Sequence, residues 1–184
     1  MKMEIKILLI IIGVVFLGII SMFNSLIRLK NHVKNSWSGI DVQLKRRNDL
    51  IPNLVNVVKG YATHEKETLE NIVKLRNLSM NQTNLKDIAK TQDQLSSSLK
   101  SLFAVSENYP NLKANQNFME LQSELSKTEN QIAASRRIYN ENVTYFNNKI
   151  ETFPSNIIAK MFSFKQADFF EATKEEKKEV NISF

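Results

Sequence analysis

The chain contains no cysteine, two histidines, three prolines and four glycines in 184 residues. Without cysteine there is no sulfur for lipid attachment and no thiolate ligand, and a reducing compartment suits the chain without being required. Only Gly39 and Gly60 lie beyond the first apolar run, accompanied by Pro52, Pro110 and Pro154. So few breakers argue against a β-rich fold and for long helices. No glycine-rich loop is available to cradle a phosphate. The stretch HEKET begins like a zinc-protease motif, but Thr68 stands where the second histidine must come one helical turn later. Neither His32 nor His64 has a glutamate three residues before it, so the E-x-x-H pattern of di-metal bundles is missing too. SWSGI places Ser36 where a nucleophile elbow needs its first glycine. His64, followed by a glutamate, has the look of a phosphoacceptor, yet an exposed histidine in a charged helix explains it with less. No metal or cofactor is implied, and the residues lean away from an enzyme.

Charge is also absent between Lys6 and Arg28. Ile7 to Phe23 is interrupted only by Ser21, and Ser25, Leu26 and Ile27 complete the stretch. Such a run is long enough to cross a hydrocarbon core of about 30 Å at about 1.5 Å per residue. It is too long for the core of a signal peptide, and no small-residue cleavage pair follows it. Residues 7–27 therefore read as an uncleaved anchor whose partner is the lipid bilayer. Lys2 and Lys6, offset by Glu4, precede it; Arg28, Lys30 and Lys34 follow, with Lys45, Arg46 and Arg47 further on. This asymmetry predicts a single-pass plasma-membrane protein with the N-terminus outside and the bulk of the chain in the cytoplasm. The net charge of +6 does not require nucleic acid, because much of it is juxtamembrane, where anionic lipid heads account for it.

Beyond the span the apolar pattern is helical. Val33, Trp37, Ile40, Leu44, Ile51, Leu54, Val58 and Tyr61 recur at three- and four-residue steps, continuing weakly through Leu69, Ile72 and Leu75. A second helix is expected over Leu85 to Val105. The third carries Phe118, Leu125, Ile132, Tyr139, Phe146 and Phe153 at seven-residue intervals. Its companion row, Leu121, Thr128, Ser135, Asn142 and Lys149, turns polar, so that flank is expected to face solvent or a partner. Residues 77–84 and 107–113 read as connections. After Pro154 a short apolar helix precedes Phe162, Phe164, Phe169 and Phe170, which must fold back or form a docking surface; the charged run TKEEKKE after them reads as a solvated end. The expected organisation is all-α: a transmembrane helix in residues 1–27, an antiparallel up-and-down bundle of three to four long helices in 28–153, and a short amphipathic helix with a Phe-rich, charged tail in 154–184.

One stretch interrupts the apolar stripe. In KRRNDLIPNLV, Arg47 occupies a slot in the row Val33, Ile40, Arg47, Leu54, Tyr61. The phase survives Pro52, favouring a continuous helix, although a turn at Arg47 and Asn48 with Asp49 as cap also fits. An arginine drawn toward a core needs a partner, and Asp41 and Asp49 are the local candidates. The third helix carries a matching set, with Glu129 and Arg136 on one flank and Arg137 and Asn140 nearby. The expected polar cluster is Arg46, Arg47, Asp49, Asn53, Glu129, Arg136, Arg137 and Asn140. Its structural role, fixing register between helices, outranks an anion or substrate site, because ion-pair networks often imitate functional sites.

SWSGIDVQLKRRNDLIPNLVNVVKGYATHE, ENYPNLKANQNFMELQSELSKTENQIAASRRIYNENVTYFNNKI and FPSNIIAKMFSFK resemble the LemA family over nearly the whole chain from Leu26 to Phe170. The resemblance implies an antiparallel helical bundle held to a bacterial plasma membrane by one N-terminal helix, with no established reaction. Arg46, Arg47, Asp49, Pro52, Asn53, Tyr109, Pro110, Arg136, Arg137, Tyr139 and Asn140 match recurring motif positions of that family without a role attached. The expected function is a membrane-anchored scaffold or adaptor that meets a membrane or envelope protein. An anion-binding or catalytic module using the Arg/Asp/Asn cluster is the alternative, and anionic-lipid sensing a further one. The residues leave oligomerisation open.

Overall fold

The computed structural model describes residues 2–170, together with the backbone but not the side chains of Lys2 and Thr63. The expected TKEEKKE tail lies outside the described residues. The fold is all-α, as expected. The helices are α1 (Lys2–Lys59), α2 (Lys66–Asn81), α3 (Leu85–Ser106), α4 (Pro110–Lys113), α5 (Gln116–Glu151) and α6 (Ser155–Met161), with a 3-10 turn at Thr63–Glu65 before α2. Among the described residues there is no strand.

Two compact units share these helices. One combines the chain up to Ser38 with Arg137–Phe169; the other comprises Gly39–Arg136 together with Phe170. The second has an aliphatic core to which every helix in it contributes: Leu54 and Val58 from α1, Ile72 from α2, Leu95 and Leu102 from α3, Leu112 from α4 and Phe118 from α5 are essentially inaccessible. The first has a smaller core of Leu26, Phe146, Ile158 and Ala159, bordered by Ile19, Met22, Phe23 and Phe164. Rings dominate there. Phe23 meets Phe162 at 4.7 Å and Phe164 at 5.9 Å between centroids, and Trp37 stands edge-on to Tyr139 at 5.8 Å.

α1 runs unbroken through Pro52, which answers the choice between a continuous helix and a turn. Proline has no N–H, so in a helix it leaves the carbonyl four residues earlier without its donor. That carbonyl belongs to Asn48, and Arg76 Nε of α2 donates to it at 3.1 Å. Ser79, one turn further along α2, donates to Asn48 Oδ1 at 3.1 Å. The proline gap is thereby filled from a neighbouring helix, and Asn48 is buried by the same contact. This also explains why α2 extends to Asn81, through much of the expected connection 77–84. Ser79 is a buried docking residue, and the connection shrinks to three residues before α3.

Side chains mark the helix ends. Asn84 Oδ1 accepts from Lys86 N at 2.9 Å at the start of α3, and Asn115 Oδ1 accepts from Phe118 N at 3.0 Å at the start of α5, the usual satisfaction of N-terminal orphan donors. At the end of α6, Ser163 N donates to Lys160 O at 3.2 Å and Phe164 N to Ala159 O at 2.9 Å. That is the paired-bond C-terminal cap in which one residue turns left-handed. Ser163 takes that role, with φ of 55°. The cap reverses the chain and brings Phe164 onto Phe146 and Phe23.

Candidate functional site: a buried ion-pair layer

Arg47 is the largest fully buried side chain among the described residues, with no accessible surface. The helical period of α1 dictates this: seven residues after Ile40 and seven before Leu54, both also inaccessible, its side chain has only the interior to enter. Its partner is Glu129 of α5. Arg47 Nη1 lies 2.6 Å from Glu129 Oε2 and donates to Ser96 Oγ of α3 at 2.8 Å. Arg47 Nη2 donates to Gln92 Oε1, and the Ser96 hydroxyl donates to the second oxygen of Glu129. Three helices therefore meet on one guanidinium. Asp41 and Asp49, the local candidates, do not supply the carboxylate: Asp49 is exposed and pairs with Lys45 at 2.6 Å.

Arg136, about two helical turns beyond Glu129 on α5, pairs with Asp93 of α3 at 3.1 Å and keeps only 12 % of its side chain exposed. Phe170 covers it, with the guanidinium carbon 4.4 Å from the ring centroid, a geometry in which the ring quadrupole attracts the cation. The layer thus holds two arginines and two carboxylates. Burial pushes the Arg47 guanidinium below its ordinary range; the attraction of Glu129 and its hydrogen bond oppose that shift, while the like charge of Arg136 adds to it. Nearby, Arg46 makes a more exposed contact to Glu124 at 2.5 Å, and Lys127 shares the same carboxylate at 2.9 Å. These two cations, Lys127 first, hold the Glu124 carboxyl below its ordinary range.

Of the expected cluster, the structure brings together Arg47, Glu129 and Arg136, with Arg46 on Glu124. Asn53 and Arg137 are exposed. Asn140 is half-buried on α5, where its backbone carbonyl accepts from Thr144 at 2.9 Å. The contribution of α3 was missed. Gln92, Asp93 and Ser96 supply the third wall, and a signal existed: Gln92 and Ser96 are four residues apart beside Leu95 and Leu99, a polar pair at the edge of an apolar stripe. The companion row of α5 also differs from expectation. Thr128 is fully buried, its hydroxyl donating to Glu124 O at 2.7 Å, so this flank closes on the core around Thr128.

The layer binds charge to charge. Both carboxylates have a cation within 3.1 Å, and the hydroxyl that adjoins them, Ser96, is held between Arg47 and Glu129. Three buried donors, Arg47 Nε and Arg136 Nε and Nη2, have no hydrogen-bond partner among the described residues. No group of three His, Asp or Glu able to hold a metal gathers among the described residues.

Similarity to known proteins agrees with the motifs. The LemA family model matches residues 36–184, which takes in every side chain of the layer. The chain belongs to the LemA family. It is 31% identical over 176 residues to Protein LemA of Metamycoplasma hominis, an alignment covering 94% of this chain and 79% of that protein. Magnetosome proteins MamQ 1 and MamQ 2 of Paramagnetospirillum magneticum are each 23% identical over 175 residues, covering 81% of this chain and 64% of theirs. The family match begins after the apolar part of α1. That part holds an 18-residue stretch long and apolar enough to cross a membrane, none of which is buried within the protein, while Leu26 near its end is buried.

Proposed function

We propose that this LemA-family protein is a membrane-anchored helical scaffold that acts through protein contacts, with its arginine layer holding the helices in register. The observation that carries the reading is the closed charge balance of the layer: Arg47 against Glu129 and Arg136 against Asp93. A site built to take an anion keeps its cations available, whereas these are already matched. A buried ion pair is weak support for net stability but a good device for specifying which helices pack and at what height. The N-terminal helix spans the bilayer with the N-terminus outside, and the remainder acts on the cytoplasmic side, following the excess of basic residues after the span. α5 offers exposed apolar side chains for a membrane or envelope protein, among them Ile138 and Tyr145, seven residues apart.

A photoreactive residue at Tyr145 in living cells tests the scaffold: discrete cross-linked products that survive an Arg136→Gln substitution support it, and a chain that cross-links to nothing contradicts it. A single cysteine at exposed Ser123 tests the orientation, because the native chain has none. Labelling by an impermeant maleimide only after permeabilisation supports the cytoplasmic assignment; labelling of intact cells overturns it.

The second reading, an anion site, draws on the unpartnered donors of Arg47 and Arg136. Inorganic phosphate would then raise the melting temperature of the full chain, and Arg136→Gln would abolish the rise. The scaffold reading expects no phosphate-dependent shift.

A further inference from the structure

We infer that α6 and its flanking phenylalanines form a second membrane contact, bedded in the bilayer at the boundary between hydrocarbon and headgroups beside the exit of α1. The inference rests on α1 being the membrane span and adds a separate lipid-binding element to it.

Length makes the first argument. The unbroken run of bare side chains in the uncharged part of α1 extends from Ile7 to Leu17, about 16 Å of helix against a hydrocarbon core of about 30 Å. The remaining depth must come from the residues that follow. Those residues, Ile19, Met22, Phe23 and Leu26, are the ones that pack with Ile158, Ala159 and Phe164. Phe23 lies five residues before Arg28, the first charge after the span, and so about 7 Å inside that boundary. Phe162 touches Phe23, with centroids 4.7 Å apart. A span deep enough to reach the bilayer thickness therefore carries the α6 region to the level of the acyl chains.

Surface chemistry makes the second argument. α6 buries Ser155, Ile158 and Ala159 on one side. The helix also presents Ile157 at 58 % and Met161 at 59 % exposure, four residues apart, and it is flanked in the chain by Phe153 at 80 % and Phe162 at 50 %. Large apolar groups gathered on and immediately beside a seven-residue helix are expensive in water and suited to the interface. The charges around this face are mostly basic. Lys160 is exposed between Ile157 and Met161, and Lys30 sits 5.9 Å from the centre of the Phe164 ring. Lysines at this level keep their stems among apolar groups and their ammonium heads among lipid phosphates. Glu151 accepts a hydrogen bond from Gln166. The occupant of the face is the anionic inner-leaflet surface.

The full chain, reconstituted in phosphatidylcholine–phosphatidylglycerol vesicles, tests this with a bimane fluorophore on one introduced cysteine at a time: Ile157→Cys, Val14→Cys within the span, and Asn35→Cys beyond it. Quenchers are nitroxides attached near the carbonyl or near the end of the lipid chain, and aqueous iodide. The expected result is that Ile157→Cys is quenched best by the shallow nitroxide and is shielded from iodide, Val14→Cys is quenched best by the deep one, and Asn35→Cys only by iodide. Iodide quenching at Ile157→Cys with lipid quenching retained at Val14→Cys would overturn the inference and leave the span intact. Shielding of Ile157→Cys from every quencher, as burial against another protein or a second copy would give, overturns it too. Loss of lipid quenching at Val14→Cys removes the span itself, and the inference with it.

Discussion

The two compact units use the same helices, α1 and α5, and solve their packing with different chemistry. In the unit of residues 39–136, aliphatic side chains enclose the Arg47 layer, and long-range ion pairs join α1, α3 and α5. In the unit built from residues up to 38 and 137–169, the joints are rings: Phe23, Phe146, Phe162, Phe164, Trp37 and Tyr139. The difference follows from what each face of α1 has to meet. Directional pairs fix one relative height of neighbouring helices, since sliding by one turn would separate guanidinium from carboxylate in a low dielectric. Rings tolerate a range of tilted geometries. Along one continuous helix, directional ion pairs join the packing in one part and an aromatic patch joins it in the other.

The sharpest way to break this contrast is to remove the central charge. Arg47→Ala should destabilise the protein by about 3 kcal/mol, the low end for breaking a buried pair, because Glu129 keeps 34 % of its side chain in water. Denaturant unfolding of the full chain in lipid nanodiscs measures it, and a change under about 1 kcal/mol would mean that the pair is not the joint.

The proline gap gives the next effect. Arg76→Met should cost about 1–3 kcal/mol by leaving the Asn48 carbonyl without its donor. In a Pro52→Ala background the helix supplies its own N–H, so the same substitution should cost clearly less. Additive costs in that double-mutant cycle would sever the link between Pro52 and Arg76.

In the aromatic unit, Ser163→Gly should raise stability by up to about 1 kcal/mol, since glycine adopts the left-handed cap at no steric cost. Hydrogen exchange at Phe164 N–H, the bond that closes this cap, should slow accordingly.

The smallest expected effect is on pH dependence. The folded Glu124 carboxyl is held low, so its contribution to stability is present above the ordinary carboxylate range and is lost as pH falls through its depressed value. Glu124→Gln should flatten that part of the acid limb slightly. A steeper limb in the variant would contradict the assignment.

Much of this was legible in the residues. Seven-residue spacing placed Arg47 between Ile40 and Leu54, and burial followed from the helix period. Glu129 and Arg136 were recognisable as a matching set on α5, and survival of the apolar phase across Pro52 pointed to a continuous helix. The partners were harder to read, for a physical reason. Spacing along a helix reveals which face is buried, but the height at which another helix crosses depends on tertiary packing, so nothing in the spacing tied Gln92 and Ser96 of α3 to Arg47, or Asp93 to Arg136. The same limit hid the bond from Arg76 to Asn48, which depends on a carbonyl exposed by a proline four residues away. Phe162, Phe164, Phe169 and Phe170 looked like one aromatic patch. Their fates differ because the cap at Ser163 turns the chain: Phe164 packs inward, Phe170 covers Arg136, and Phe162 and Phe169 stay about half exposed.

The account's central claim is that the arginine layer sets packing and does no binding of its own. The direct measurement replaces the pair with neutral groups of similar volume, Arg47→Met with Glu129→Leu, and compares stability and Tyr145 cross-linking in cells with the wild type and with Arg47→Ala. The account predicts that the double variant recovers most of the stability lost by Arg47→Ala and keeps the wild-type cross-links. A double variant that is fully stable yet loses those cross-links would show that the charges themselves are read by a ligand or partner, and would contradict it.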